Sequence, residues 1–314
     1  MSQPLSVSQT FDASLVDLQK SFSSTDTNTS GASAKENLTP TMHQVGRSPS
    51  PYSSVSTETL YNQWATTYDH DGNVMQAIDD TQLHELLPAF VQLASQTSAA
   101  SNDRSQSLKI LDLGCGTGRN TVKLLQSSWH RPVDISGWDG SQAMLEVARA
   151  KCEAAVANRQ NVGIELEQVD ISRLENVPAR FANHFDGLIS TLVLEHIPIE
   201  IFFGILAKVL KPGAYALVTN MHENMGKLSR AGYKTASGER VKATSYIYSV
   251  PETLEAAARA GLSVVGDPKE AAVDEQMIDG GTVRGVKFEK GQVTERARKW
   301  VGTTIWYGLL LQKK

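Results

Sequence analysis

The chain has 314 residues, of which 40% are hydrophobic and 20% are charged, as in a soluble globular protein with room for one large α/β domain and additions. Its net charge of −4 and its lack of a cluster rich in Lys and Arg argue against a general nucleic-acid-binding protein. The two cysteines, Cys115 and Cys152, make no disulfide framework and favour a reducing compartment, so we expect a cytoplasmic protein.

Signals for membrane insertion or export do not stand out in the sequence. No apolar run reaches the ~18–20 residues that a membrane-spanning helix needs. The first residues lack a basic segment followed by an apolar segment, which a secretory signal would have. We therefore expect neither a membrane span nor a secretory signal.

Serine and threonine dominate residues 1–56. Such a segment cannot bury enough apolar surface to offset the entropy of ordering, which predicts a disordered tail. Within it, Phe11, Leu15, Leu18 and Phe22 would share one face of a helix. That spacing arises either by chance or from a short helix that docks on the rest of the protein or on a partner.

Residues 57–314 are predicted to form the folded domain. It begins with two N-terminal helices within 57–100, and the first of these carries Trp64 and Tyr68. Apolar strands then alternate with amphipathic helices, beginning with the strand LKILDL. Near-continuous apolar strands alternating with helices predict a parallel sheet that helices cover on both faces.

The later part of the chain contains two polar segments, 222–248 and 269–300. We interpret both as insertions that form a cap over the substrate. Between them, Ser249 and Glu252 show the spacing of a capping box, which predicts the start of a helix. The stretch TTIWYGLLLQ is predicted to be the last strand.

A glycine-rich loop follows the first apolar strand, in the stretch KILDLGCGTGRNT. Asp112 stands two residues before the first of its three glycines, which are Gly114, Gly116 and Gly118. Dinucleotide-binding folds use G-x-G-x-x-G, whereas Arg119 occupies the third glycine position here. A carboxylate at Asp112 would repel a pyrophosphate but favours a ligand with a cationic centre and an amino group. S-adenosylmethionine has both, a sulfonium and an α-ammonium group.

Two further acids follow the next two strands. Asp139 ends the second strand, where a carboxylate can accept both hydroxyls of a ribose, and Asp170 ends the third, where it can accept the amino group of an adenine. The carboxyl ends of consecutive parallel strands face one crevice, so the three acids should meet there. For Asp170 alone, capping of a helix N-terminus is the alternative.

Five segments resemble, in chain order, the motifs of class I S-adenosylmethionine-dependent methyltransferases: ILDLGCGTGRNT, ISGWDGSQAML, QVDI, FDGLISTLVLEHI and LKPGAYALVTN. The resemblance covers about residues 58–312 and is closest to the group of quinone-biosynthesis C-methyltransferases and many small-molecule methyltransferases. It implies a doubly wound, Rossmann-like α/β fold with a seven-stranded, mostly parallel sheet and an antiparallel last strand. It says little about the substrate.

The resemblance also implies which residues contact the cofactor. They are Asp112, Gly114, Cys115, Gly116, Thr117 and Gly118 in the loop, Asp139, Gly140 and Met144 after the second strand, Asp170 and Ile171 after the third, Ser190 and Leu192 at the end of the fourth, and Trp64 and Tyr68 above the pocket. For Trp64 and Tyr68 the alternative is helix packing. Cys115 is interpreted as a small residue of the loop rather than a nucleophile, and no metal site is predicted.

Methyl transfer is an in-line displacement that needs a base only if the acceptor must lose a proton. His196 after the fourth strand and His222 after the fifth are the candidate bases, and a structural, hydrogen-bonded histidine is the alternative for each. We expect a small-molecule acceptor that is methylated at oxygen or nitrogen by a monomer or homodimer without a nucleic-acid partner. The alternatives are a macromolecule methyltransferase, such as one acting on protein, and a cofactor-binding regulatory protein.

Overall fold

The computed structural model of the protein describes residues 52–97, 106–229, 232–234 and 240–314. Most of the predicted tail, including the face from Phe11 to Phe22, lies outside the described residues. The helices are α1 (Thr57–Trp64), α2 (Val74–Thr97), α3 (Arg119–Gln126), α4 (Gln142–Val156), α5 (Ile199–Val209), α6 (Glu223–Gly226), α7 (Val250–Arg259) and α8 (Gln276–Asp279).

The strands complete the list of elements. They are β1 (Tyr52–Ser54), β2 (Leu108–Leu113), β3 (Val133–Asp139), β4 (Val162–Gln168), β5 (Phe185–Thr191), β6 (Leu210–Met221), β7 (Gly232–Lys234), β8 (Arg240–Lys242), β9 (Leu262–Val264), β10 (Lys269–Ala272), β11 (Gly281–Val283), β12 (Val286–Phe288) and β13 (Thr304–Lys313).

The central sheet has the strand order β10, β13, β6, β5, β2, β3, β4, and β9 also pairs with β13. The strands from β2 to β6 are mutually parallel, whereas β13 runs antiparallel to β6. Both β9 and β10 lie along the edge of β13 opposite β6, so eight strands occupy seven positions. The predicted doubly wound α/β fold with an antiparallel last strand is confirmed, and the additional strand comes from this divided outer position.

Local sequence signals explain where several helices begin. The side chain of Ser141 accepts a hydrogen bond from the backbone N–H of Met144 and so caps α4. At the start of α7, Ser249 and Glu252 form the predicted capping box. Strand β5 is buried at every position, as its apolar sequence predicts for a central strand with helices on both faces.

The start of the folded part differs from the predicted boundary at residue 56. Strand β1 pairs in parallel with β8, and β8 pairs with β7 in a small three-stranded sheet. Ser56 then caps α1 by accepting a hydrogen bond from the backbone N–H of Thr59 at 3.1 Å. Leu60 and Trp64 of α1 pack with Val241 and Ala243. Residues 52–56 therefore belong to the folded part, because the 222–248 insertion provides a strand for β1 to pair with.

The buried carboxylate of Asp79 connects α2 to the rest of the domain. Its Oδ1 accepts hydrogen bonds from Oγ1 of Thr219 at 2.7 Å and from Nε1 of Trp306 at 2.9 Å. Its Oδ2 accepts from Nη2 of Arg119 at 2.7 Å and from Nδ2 of Asn120 at 3.3 Å. Because these four donors belong to β6, β13 and α3, a single side chain holds α2 against the sheet and against the helix that follows the glycine loop.

Replacing Asp79 by alanine should lower the free energy of unfolding by about 3 kcal/mol. The variant leaves Nη2 of the Arg119 guanidinium without its carboxylate partner in a buried position. Denaturant unfolding measures this loss. Glu85→Ala, on the exposed side of α2, is the control: its ion pair with Arg284 is exposed, so the loss should stay below about 1 kcal/mol. Equal losses in the two variants would contradict the role of Asp79.

Candidate functional site

A cavity of about 340 Å³ lies at the carboxyl ends of the parallel strands, between the glycine loop and the start of α1. It brings together many of the residues that the sequence singled out: Tyr68, Gly114, Gly116, Asp139, Gly140, Met144, Asp170, Ile171, Leu192 and His196. The other residues of its wall were missed from the sequence: Ser56, Thr57, Glu58, Tyr61, Ser141, Ser172, Thr191, Val193 and Ile197.

The glycines of the loop are required for different reasons. Gly114 and Gly116 both have positive φ, 74° and 54°, which favours glycine at these positions. A Cβ at Gly114 would lie 2.4 Å from Cγ2 of Val193, so a larger residue at this position would clash with the Val193 side chain. A Cβ at Gly116 would meet no atom within 4 Å, and Gly116 lines the cavity. The positive φ is therefore what favours glycine at Gly116, and the open space beside it leaves room for a ligand.

Asp139 braces the loop from the end of β3. Its Oδ2 accepts a hydrogen bond from the backbone N–H of Gly116 and its Oδ1 accepts one from the backbone N–H of Ser141, each at 2.8 Å. Burial raises the pKa of Asp139, while these hydrogen bonds and His196 oppose the rise. A carboxylate oxygen has capacity for more than one donor, so Asp139 can still accept ligand hydroxyls.

Asp112 lies beneath the loop rather than on the cavity wall. Its Oδ2 accepts a hydrogen bond from Oγ1 of Thr121 at 2.6 Å. Its Oδ1 is buried and has no hydrogen-bond partner within the part of the chain that the structure describes. Burial raises the pKa of this carboxyl to about 7. An unpaired buried carboxyl oxygen at this place suits a ligand that brings a positive charge to the loop.

Several other predicted residues hold the loop in place from outside the cavity. Thr117 donates a hydrogen bond to Oδ1 of Asp69 at 2.7 Å, which links the loop to the turn after α1. Ser190 donates to the carbonyl oxygen of Leu113 at 2.9 Å. A Cβ at Gly118 would lie 3.1 Å from the Cβ of Ala148, so this glycine lets α3 and α4 pack closely.

Cys115 is buried within the loop. Burial raises the pKa of its thiol well above the usual value, so the thiolate form is disfavoured. This agrees with the interpretation of Cys115 as a small residue of the loop rather than a nucleophile.

Asp170 lies at the exposed rim of the cavity. Its Oδ1 accepts a hydrogen bond from the backbone N–H of Ser172 at 2.9 Å, and its Oδ2 accepts one from Nδ2 of Asn176 at 2.8 Å. Both bonds are local, so Asp170 shapes the turn after β4. Asp170 nevertheless lines the cavity. That it lies near the adenine stays a prediction from the sequence.

An aromatic cluster covers the cavity from α1 and the turn that follows. Tyr61 stacks on Trp64 with ring centroids 5.9 Å apart and meets Tyr68 edge to face at 5.8 Å. The Tyr61 hydroxyl lies 2.8 Å from Nε2 of His196. Tyr61 was missed as a site residue, although Tyr61, Trp64 and Tyr68 have the spacing of one helical face. Trp64 lies behind Tyr61, on a second and smaller cavity.

The two candidate histidines occupy different surroundings. His196 lines the cavity, its side chain is 7% exposed, and its Nδ1 has no hydrogen-bond partner among the described residues. His222 does not line the cavity. Its Nδ1 accepts a hydrogen bond from the backbone N–H of Asn224 at the start of α6, and its Nε2 lies 2.9 Å from Oε1 of Glu270. Only His196 is therefore placed to reach a ligand in this cavity.

Leu192 has an unusual backbone where β5 ends. Its φ is 59°, in the left-handed region that non-glycine residues rarely adopt. Its backbone N–H donates to the carbonyl oxygen of Thr219 at 2.9 Å, which holds the residue in this conformation. Such outliers cluster at functional sites, and Leu192 lines both the main cavity and the smaller one.

The parallel sheet, the glycine loop and the acids at the strand ends define a Rossmann-like cofactor-binding enzyme of the class I methyltransferase type. A family model described as a methyltransferase domain matches residues 110–213. An uncharacterized methyltransferase of Emericella nidulans is 40% identical over 270 residues, which is 81% of this chain and 90% of the relative. A putative methyltransferase of a Geobacillus species is 39% identical over 72 residues, which is 23% of this chain and 26% of the relative.

Among solved structures, an S-adenosylmethionine-dependent methyltransferase from Mesorhizobium loti is 18% identical, with a TM-score of 0.45 over 71% of this chain and 100% of its own. The identity to the Emericella relative over most of both chains shows the family. The chain belongs to the class I S-adenosylmethionine-dependent methyltransferases, and S-adenosylmethionine is its cofactor.

The residues of the cavity fit that cofactor. Gly116 leaves open space for a close approach and Asp139 offers carboxylate oxygens. Beneath the loop, outside the cavity wall, Asp112 has a buried oxygen without a partner among the described residues. We propose that the ribose hydroxyls bind at Asp139, that the adenine packs on Met144 near Asp170, and that the methionine part lies against the glycine loop.

Replacing Asp139 by alanine should weaken binding of S-adenosylhomocysteine by about tenfold or more, since hydrogen bonds to a charged group contribute ~1.5–3 kcal/mol each. Isothermal titration calorimetry measures the affinity. Asp170→Ala is the matched control, because it makes the same change at the exposed rim of the same cavity, where water competes with a ligand for the carboxylate; its effect should be smaller. Wild-type affinity in Asp139→Ala would remove Asp139 from the cofactor site.

Proposed function

We propose that the protein transfers the methyl group of S-adenosylmethionine to an oxygen or nitrogen atom of a small molecule, and that His196 removes a proton from this acceptor. The observation that carries this proposal is the position of His196. It is a nearly buried imidazole on the wall of the cofactor cavity, and its Nδ1 has no hydrogen-bond partner in the described part of the chain.

Backbone contacts hold the turn of Leu194–His196 in place. The backbone N–H of Tyr246 donates to the carbonyl oxygen of Glu195 at 2.7 Å. The Tyr248 hydroxyl donates to the carbonyl oxygen of Ile197 at 3.1 Å. The segment that precedes α7 thus holds the middle of the turn and the residue that follows it, and this supports a positioned rather than a mobile imidazole.

Glu195 favours one tautomer of His196. Burial raises the pKa of the Tyr61 hydroxyl well above its usual value, so it stays protonated at neutral pH and can either donate to Nε2 or accept from it. Oε1 of Glu195 lies 3.4 Å from Nε2 of His196. A carboxylate there favours the proton on Nε2, which then donates to the Tyr61 oxygen and leaves the lone pair on Nδ1. Nδ1 is then the atom that accepts the proton of the acceptor.

When bound, the cofactor supplies an electrophilic methyl group attached to a leaving group that departs as a neutral thioether. The chain contributes alignment, exclusion of water and proton removal. Tyr61 and Tyr68 cover the cavity from one side, and Leu192 and Val193 close it beside His196. The volume of about 340 Å³ lies within the ~300–1,000 Å³ of small-molecule sites, as a cavity that holds the cofactor should.

The test uses S-adenosylmethionine with an isotopically labelled methyl group. The protein is incubated with a metabolite extract and, separately, with a cell protein fraction, and mass spectrometry locates the label. We expect label in a small molecule, on oxygen or nitrogen. Label only in protein would support the macromolecule alternative, and tight cofactor binding without label in either fraction would support a regulatory protein.

Replacing His196 by alanine should lower the turnover number by at least about tenfold on a hydroxyl or ammonium acceptor, with cofactor affinity nearly unchanged, because general bases contribute ~10²–10⁴-fold. Steady-state kinetics across about pH 6–9 and calorimetry measure the two effects. His130→Ala, on the exposed surface, is the control. Turnover within twofold of wild type in His196→Ala, or a larger loss in His222→Ala, would contradict the role of His196.

The remaining expectations from the sequence stay predictions: a cytoplasmic location, a monomer or homodimer, and no nucleic-acid partner. Within residues 52–97, 106–229, 232–234 and 240–314, no helix has the length and apolar character to span a bilayer. The same residues contain no group of three or more side chains suited to hold a metal ion.

A further inference from the structure

A second cavity, of about 30 Å³, adjoins the cofactor cavity at Tyr61, Tyr68 and Leu192. Both tyrosines and Leu192 line the two cavities, so they form a shared wall. The rest of the second cavity is formed by Trp64, Asn73, Met75, Glu195, Met221, Met225 and Ser229. Its volume corresponds to about two or three water-sized spheres, which suits the end of a molecule rather than a whole one.

Glu195 places a carboxylate on this wall. The side chain is 13% exposed, and its Oε2 is buried without a hydrogen-bond partner among the described residues. No Lys, Arg or His lines the second cavity among those residues. A buried carboxylate oxygen without a partner is costly, so this position favours a ligand that brings a positive charge or a donor.

The surrounding charges agree with a cationic ligand. The pKa of Tyr61 is raised mainly by burial and further by Tyr68, Glu195, Asp139 and Asp71. Arg119 is the cation near Tyr68, but Asp79 and Asp80 neutralise it. Among the described residues, Glu195 is the one acidic side chain that lines the second cavity itself.

The apolar part of the wall also suits a small cation. Trp64 and Tyr68 meet edge to face at 5.0 Å, and Tyr61 stacks on Trp64. Aromatic rings attract cations electrostatically, and methionine side chains such as Met221 and Met225 adapt to the shape of methyl groups. Water-sized space lined by aromatic rings, methionines and one carboxylate matches an ammonium group that carries methyl or methylene substituents.

We propose that this second cavity is the acceptor site and that it takes the amino end of a small primary or secondary amine. The inference rests on the proposed function and names its acceptor class. The ammonium gives one proton to His196, and the freed nitrogen lone pair forms the bond to the methyl carbon. The carbon–sulfur bond of the bound cofactor would break with its electron pair going to sulfur, and the product would be an ammonium ion in which a methyl group has replaced that proton.

The adjacent residues Glu195 and His196 would have different roles, binding of the amine and removal of its proton. Glu195 holds the cationic amine in the second cavity, while His196 lines the cofactor cavity and takes the proton. Tyr61 lines both cavities, and its hydroxyl is hydrogen-bonded to His196. The alternative is that Glu195 and the aromatic rings attract the sulfonium of the cofactor instead, and the experiment must separate these two cations.

The experiment observes the methionine methyl groups by NMR in protein labelled at these carbons and saturated with S-adenosylhomocysteine. The probes are dimethylammonium chloride and isopropanol, which have similar size and differ in charge, at equal ionic strength. Resonances of Met75, Met221 and Met225 are assigned by Met→Leu variants. We expect these three to respond to dimethylammonium at concentrations at least about tenfold lower than to isopropanol.

The matched variants are Glu195→Gln and Glu200→Gln, which make the same change at the cavity and on the exposed surface of α5. The preference for dimethylammonium should fall to within about twofold in Glu195→Gln and stay as in wild type in Glu200→Gln. Equal responses to both probes in wild type, or responses confined to other methionines, would overturn the proposal.

The alternative, in which Glu195 attracts the sulfonium of the cofactor, predicts a different result. If Glu195→Gln weakened S-adenosylmethionine binding relative to S-adenosylhomocysteine but left dimethylammonium binding unchanged, Glu195 would serve the cofactor and the proposal would fail. Because the NMR measurement needs no turnover, the outcomes stay distinguishable. Label transfer to a hydroxyl without selection of the cation would refute this inference alone. Selection of the cation without any label transfer would refute the proposed function alone.

Discussion

The arrangement of the site depends on the hydrogen bonds of one buried carboxylate, that of Asp79. It accepts from β6, β13 and the start of α3, so it holds α2 on the sheet and beside the helix that follows the glycine loop. The turn before α2 carries Tyr68 and Asp69, and Asp69 accepts a hydrogen bond from Thr117 in the loop. The aromatic cluster over the cavity is therefore tied to the same loop that we propose as the cofactor-binding loop.

The site consists of two spaces of unequal size and different chemistry. The larger one has glycine backbone and Asp139, as an adenosyl ligand requires, whereas the smaller one has aromatic rings, methionines and Glu195. Tyr61, Tyr68 and Leu192 line both spaces. The turn after β5 supplies His196 to the first space and Glu195 to the second, and Nε2 of His196 lies 3.4 Å from Oε1 of Glu195. A methyl group and its acceptor can thus meet at one wall.

Much of the cofactor site could be predicted because its residues are close in sequence to strand ends. Asp139 and Gly116 meet as expected, since the carboxyl ends of parallel strands lie at one edge of the sheet. The acceptor side could not be predicted in the same way. Tyr61, Glu195 and Met225 come from three distant segments, and the role of Tyr61 becomes visible only when its hydroxyl is seen 2.8 Å from His196. His222 was predicted beside the site but caps α6 instead.

By itself, the sequence determined the fold class, the cofactor and the alternation of strands and helices along the chain, because apolar periodicity and a glycine loop between a strand and a helix are local signals. Tertiary structure alone decided that β1 joins β8, that one histidine and not the other reaches the cavity, and that Glu195 is buried with an unpaired oxygen among the described residues. These outcomes depend on which distant segments pack together, and local spacing carries no information about such contacts.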